Sequence, residues 1–123
     1  MPGKRPIFND TRGGEPSSPD KEQSEKAIKK WLSANVEVGA IVAIKRRQNG
    51  SLQYERGMVL SVRPKNFNVG VQQRDGTYSE SGTTFDYAGR HWRDREGGTQ
   101  IVIPTEAVLA ACDACDFGAA FLP

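Results

Sequence analysis

Cysteine, histidine and long apolar runs are scarce in this chain, and each scarcity removes a class of protein. Of its 123 residues only Cys112 and Cys115 are cysteine and only His91 is histidine. Two cysteines, three apart and late, are not a disulfide framework of the small secreted kind and fit reducing surroundings better. As a zinc site the pair supplies two thiolates where a structural site needs four ligands, so a carboxylate or a second subunit would have to complete it. As a redox pair it follows an expected helix, whose negative end disfavours the thiolate. The two therefore read as small, semi-buried apolar residues. No metal and no cofactor is expected.

No stretch approaches the roughly 18–20 apolar residues of a membrane span. The N-terminal Met-Pro-Gly-Lys-Arg-Pro lacks the apolar stretch of a signal peptide, and the expectation is a cytoplasmic protein with no membrane contact. Nucleophile elbow, phosphate-binding loop and His-rich ligand spacing are all missing, so no catalytic residue is assigned and a non-enzymatic role is expected.

An excess of one charge is missing too. The 17 basic and 15 acidic residues leave +2, too little to argue for nucleic acid by itself. The distribution is less even: residues 34–104 carry +3 and residues 105–123 carry −3, a mildly basic middle and an acidic C-terminus.

What is present has an order. Residues 1–18 are rich in proline and glycine and read as a disordered tail. Residues 19–34 read as a helix: Ser18 caps it, Pro19 takes the first position, and Asp20 and Glu22 favour its positive end. Ala27, Ile28, Trp31 and Leu32 make one apolar stripe that docks on the domain or, through Ile28, Trp31 and Leu32, on a second copy or a protein partner.

From Val36 the period changes to 2, with Val36, Val38, Ala40, Val42 and Ile44 on one face. Asn49-Gly50 is a strong hairpin signal. Leu52, Tyr54, Met58, Leu60 and Val62 then point one way, and Gln53, Glu55, Ser61 and Arg63 the other. The chain turns at Arg63-Pro64-Lys65-Asn66, and Phe67, Val69 and Val71 form a third strand ending at Asp75-Gly76. A poorer strand covers residues 83–87, "GRHWRDREGG" is a polar loop, and "TQIVIP" is a short strand stopped by Pro104. A short helix and a C-terminal tail complete residues 105–123. Five short strands cannot cover a two-layer sandwich but can curl into a small barrel over residues 35–104.

"VEVGAIVAIKRR", "GMVLSVRPKNFNV", "TTFDYAGR" and "IVIPTE" together resemble the small SH3-like barrels of translation, transcription and many phage and plasmid proteins. The resemblance covers about residues 35–110 and rests on Gly39, Gly57 and the proline-led turn after the last strand. It implies a mainly β architecture, a five-stranded SH3-like barrel with an N-terminal amphipathic helix and a short C-terminal one. It transfers no activity, since such folds host many functions. More locally, "GTQIVIP" is similar to a stretch of the type II plasmid-borne dihydrofolate reductases, tetramers of small barrels around a shared pore. That likeness implies pore roles for Gln100, Ile101 and Lys45, although Val102 stands where that family has tyrosine and an extra residue precedes Pro104.

The residues that most invite a function are basic and lie in or beside loops: Arg46, Arg47, Arg63, Lys65, Arg74, Arg90, Arg93 and Arg95, with Trp92 among them. Arginine and lysine neutralise phosphates, and an exposed tryptophan stacks on unpaired bases. This predicts weak binding of RNA or single-stranded DNA. Trp92 either stacks in this way or plugs the barrel, whereas Phe67 shares the parity of Val69 and Val71 and is expected in the core. The alternative is an interaction or assembly module of phage or plasmid type, using the helix stripe and the apolar residues 117–122.

Overall fold

The computed structural model describes residues 18–48, 51–93 and 98–114. Residues 1–17 of the expected 1–18 tail, the Asn49-Gly50 turn, Arg95, Cys115 and residues 117–122 lie outside them. Helix α1 spans Glu25–Asn35, strands β1 Ile41–Gln48, β2 Ser51–Val62, β3 Asn66–Val71, β4 Thr83–Asp86 and β5 Thr99–Val102, and helix α2 Glu106–Ala114. The protein is thus mainly β, with five antiparallel strands and two helices. The strands curl into a half-barrel in the order β4-β3-β2-β1-β5, a four-strand meander whose fifth strand returns to the first.

Helix α1 begins six residues later than the Ser18 cap predicts. Its cap is Ser24, whose hydroxyl accepts from Ala27 N at 3.0 Å. Residues 18–23 form a turn instead, with Lys21 N donating to Ser18 O and Gln23 N to Asp20 O. Asp20 cannot serve a first helical turn because its carboxylate is taken up by Tyr54 and Lys45. Ser18, expected in the tail, belongs to this turn and is buried.

The apolar stripe of α1 is used within the fold. Ile28 and Leu32 are buried, Ile28 beside Gly89 and Ile101, while Trp31 stays half-buried. A second copy could not use Ile28 and Leu32 without undoing the core. Val36 caps the helix end by donating to Leu32 O, and Val38 is 68% exposed ahead of a turn at Gly39, so the first strand starts at Ile41 and not at Val36.

The alternation along β2 also departs from expectation. β1 and β2 pair in unbroken register from Ile41↔Met58 to Gln48↔Ser51. Yet Leu52 and Tyr54 are buried on one face, and Gly57 and Val59 on the other. The central strands are covered on both sides. Ala43, Tyr54 and Val102 share one face, over which α2 packs through Val108, Ala111 and Cys112. Val42, Ile44, Val59, Val69 and Ile101 line the other. Arg56 fixes α2 to β2 with two 2.9 Å hydrogen bonds to the Asp113 carboxylate, which hold that carboxyl below its ordinary range.

A bulge at Leu60 shifts the β2–β3 register between Val59 and Ser61. Met58 and Leu60 are only half-buried, and Val62, which the bulge brings opposite Phe67, is 43% exposed. Leu60 lies over Gly70 and Gly82, and a Cβ on Gly70 would stand 2.0 Å from Ser79 O. That backbone cannot withdraw without losing the Ser79 N to Val71 O bond at 2.9 Å. Gly70→Ala is accordingly expected to destabilise by about 1–3 kcal/mol, as overpacking does. A urea midpoint equal to that of the parent protein would contradict the close approach.

Residues 89–92 join the two sheet edges. Arg90 bridges Gln100 of β5 and His91 bridges Phe85 of β4. Trp92 N donates to Thr84 O, Asp86 N to Arg90 O, and Ile101 N to Gly89 O. Just past β5, the side-chain amide of Gln23 donates to Ile103 O at 2.9 Å and accepts from Ile103 N at 2.7 Å.

Candidate nucleic-acid interface

Antiparallel neighbours share their ends, so the topology sorts the basic residues. Arg46 and Arg47 close β1, Arg74 sits in the turn at residues 73–77 after β3, and Trp92 and Arg93 open the loop that leads to β5. These three connections emerge at one end of the half-barrel. The loop returns beside Arg47, whose N–H donates to Gly98 O at 2.8 Å. Arg63 and Lys65 lie at the opposite end of β3, about 20 Å along its six residues from the turn that holds Arg74. There Arg63 is hydrogen-bonded to Asn66, and the Tyr87 hydroxyl donates to Arg63 O. Arg90 lies between, ion-paired with Glu25 of α1.

The topology thus places the connections that carry Arg46, Arg47, Arg74, Trp92 and Arg93 at one end of the sheet, with Arg63 and Lys65 at the other end of β3 and Arg90 beside β5. Within the group the side chains differ. Arg46 is bound at 2.6 Å to Glu55, with only 29% of its side chain exposed, so its charge is largely compensated. Arg47, Arg74 and Arg93 are exposed.

Trp92 is 51% exposed, with the Arg93 guanidinium carbon 4.5 Å from its ring centroid. Its neighbour takes the inward place. The His91 ring stands edge-on to Phe85 at 5.6 Å and 86°, and its Nδ1 accepts from Arg93 N at 3.1 Å. With Trp92 N bonded to Thr84 O at 3.1 Å, the backbone beneath the indole is pinned on both sides. The result is an aromatic face held out to solvent, with a cation stacked against it. Phe67 is fully buried against Phe85 and Tyr87, at 6.3 and 5.2 Å between ring centroids, as its parity predicts.

A second polar cluster has no counterpart in the sequence reading. Tyr54 donates to Asp20 Oδ1 at 2.6 Å and Lys45 to Oδ2 at 2.9 Å, with the Asp20 and Lys45 side chains only 6% and 13% exposed. Burial by itself pushes the Asp20 carboxyl up. The Tyr54 and Lys45 hydrogen bonds, the Lys45 charge and a Ser18 hydrogen bond outweigh it, and Asp20 titrates below its ordinary range. The only local hint was an Asp next to a helix start, which reads equally well as a first-turn acid. Of the residues that the reductase likeness points to, Ile101 is buried in the core, Lys45 is engaged by Asp20, and Gln100, paired to Lys45 across β1 and β5, is half-exposed.

Among the described residues no group of three or more His, Cys, Asp or Glu could hold a metal ion, and no helix is long and apolar enough to cross a membrane. Cys112, on α2, is buried. In comparisons with known proteins, no family model, no curated protein and no solved structure matches the chain.

Proposed function

We propose that this chain is a small SH3-like barrel that binds single-stranded nucleic acid weakly through the loop end carrying Trp92. The strand order β4-β3-β2-β1-β5 supports the SH3-like reading, because it is a meander whose last strand pairs with the first. The observation that carries the function is the half-exposed Trp92, fixed by its backbone and stacked with Arg93. A large aromatic held at a loop surface beside arginines offers one face to an unpaired base and cations to the flanking phosphates. A duplex keeps its bases stacked inside, so the partner is RNA or DNA in single-stranded form.

Titration of labelled single-stranded RNA and DNA at two salt concentrations tests this. Affinity is expected to fall as salt rises, and Trp92→Ala to weaken binding by about 5- to 150-fold, the loss of one stacked base. Absence of binding at low salt, or affinity unchanged by Trp92→Ala and by Arg93→Ala, would defeat the proposal. Val38 and Val62, exposed at the opposite end, favour a protein-interaction module as the second reading. That reading gains if a partner binds without salt dependence.

A further inference from the structure

Helix α1 turns a second basic surface to solvent. Lys26, Lys29 and Lys30 are all exposed and fall at i, i+3 and i+4, on the side away from the buried Ile28 and Leu32. Four of the protein's other placed cations are engaged in ion pairs: Lys45 with Asp20, Arg46 with Glu55, Arg56 with Asp113 and Arg90 with Glu25. No salt bridge among the described residues holds Lys26, Lys29 or Lys30, and of the three only Lys29 acts on the charge of Glu25.

The position of the helix connects this surface to the Trp92 loop. Glu25 meets Arg90 and Ile28 lies against Gly89, so the N-terminal half of α1 sits beside residues 89 and 90, which lead directly into Trp92. Glu25, the carboxylate on the flank between the lysines and that segment, is the one the Arg90 guanidinium compensates. A strand stacked at Trp92 and continuing past Arg90 therefore meets Lys26 and Lys29 with the intervening acid neutralised.

We infer that the outward face of α1 is the second half of the same interface, and that Lys26, Lys29 and Lys30 take the phosphates of the single strand whose base stacks on Trp92. The inference rests on the single-strand reading of the Trp92 loop and extends it from a one-base contact to a backbone track. It is committed to a flexible polyanion by charge complementarity, since the strip offers cations and little apolar surface.

The test uses the full chain, labelled oligouridine RNA and a series of salt concentrations. The triple variant K26Q/K29Q/K30Q is expected to weaken binding at low salt and to make the slope of log affinity against log salt shallower by about 2, at about 0.7 per single-strand phosphate. Trp92→Ala is expected to weaken binding at every salt concentration with the slope unchanged. Circular dichroism of the triple variant, whose substitutions are exposed and helix-compatible, should match the parent. A triple variant with the parental slope, alongside a weakened Trp92→Ala, overturns the α1 track and leaves the loop reading standing. No binding by the parent protein at low salt overturns both.

Discussion

Phe67→Ala should lower the unfolding free energy by about 3–5 kcal/mol, the range for truncating a fully buried phenylalanine. The ring has no exposed surface and lies between Phe85 and Tyr87, on the strand that joins the turn at residues 63–66 to the centre of the sheet. Truncation opens a cavity that neither neighbour can fill easily. Phe85 also supports the edge of His91, and Tyr87 is tied by its hydroxyl to Arg63 O. A domain of this size has about 5–15 kcal/mol in total, so the variant should unfold at a much lower urea concentration. A midpoint shift worth under 1 kcal/mol would mean that Phe67 is not where the core closes.

Asp20→Ala should cost about 3 kcal/mol, the lower end of the range for breaking a buried pair, because the Lys45 side chain keeps slight exposure. The substitution removes the carboxylate that both the Tyr54 hydroxyl and the Lys45 ammonium face. The same carboxyl gives the protein an acid-sensitive component. The folded-state pKa of Asp20 is depressed, so its contribution is complete above the unfolded value of about 3.9 and is lost as pH falls through the folded value. The parent protein should lose stability below about pH 4 more steeply than Asp20→Ala, as urea unfolding across that range would show. Parallel curves would remove Asp20 from the account.

That the protein is mainly β, with a third strand through Phe67, Val69 and Val71 and a second helix after Pro104, was legible in the sequence because those signals are local. Phe67, Val69 and Val71 alternate, and Pro104 and Thr105 precede a short apolar run; both features sit where the sequence places them. The start of α1 was not legible. Ser18 and Ser24 are each followed by acidic residues, and only contacts 25 and 34 residues away show that Asp20 is taken by Lys45 and Tyr54. The two-sided burial of β1 and β2 escaped for a related reason: alternation shows that a strand has faces, but α2, packed on the second face, changes which residues count as outward. At the candidate site the loop was visible as a basic stretch with one tryptophan. Its outward setting depends on His91 turning in towards Phe85, which loop composition does not encode.

The pairing of residues 89–92 with both edge strands, and of Gln23 with Ile103, also constrains how another molecule can be recognised. The main-chain groups on which an incoming peptide would template are already occupied at the flanks of β4 and β5. The side-chain amide of Gln23 stands where the next backbone would dock. β-Augmentation, the usual way in which small sheets capture extended peptides, would therefore have to displace native hydrogen bonds. A partner would then have to be met by protruding side chains, which surface substitutions can change while leaving the sheet untouched.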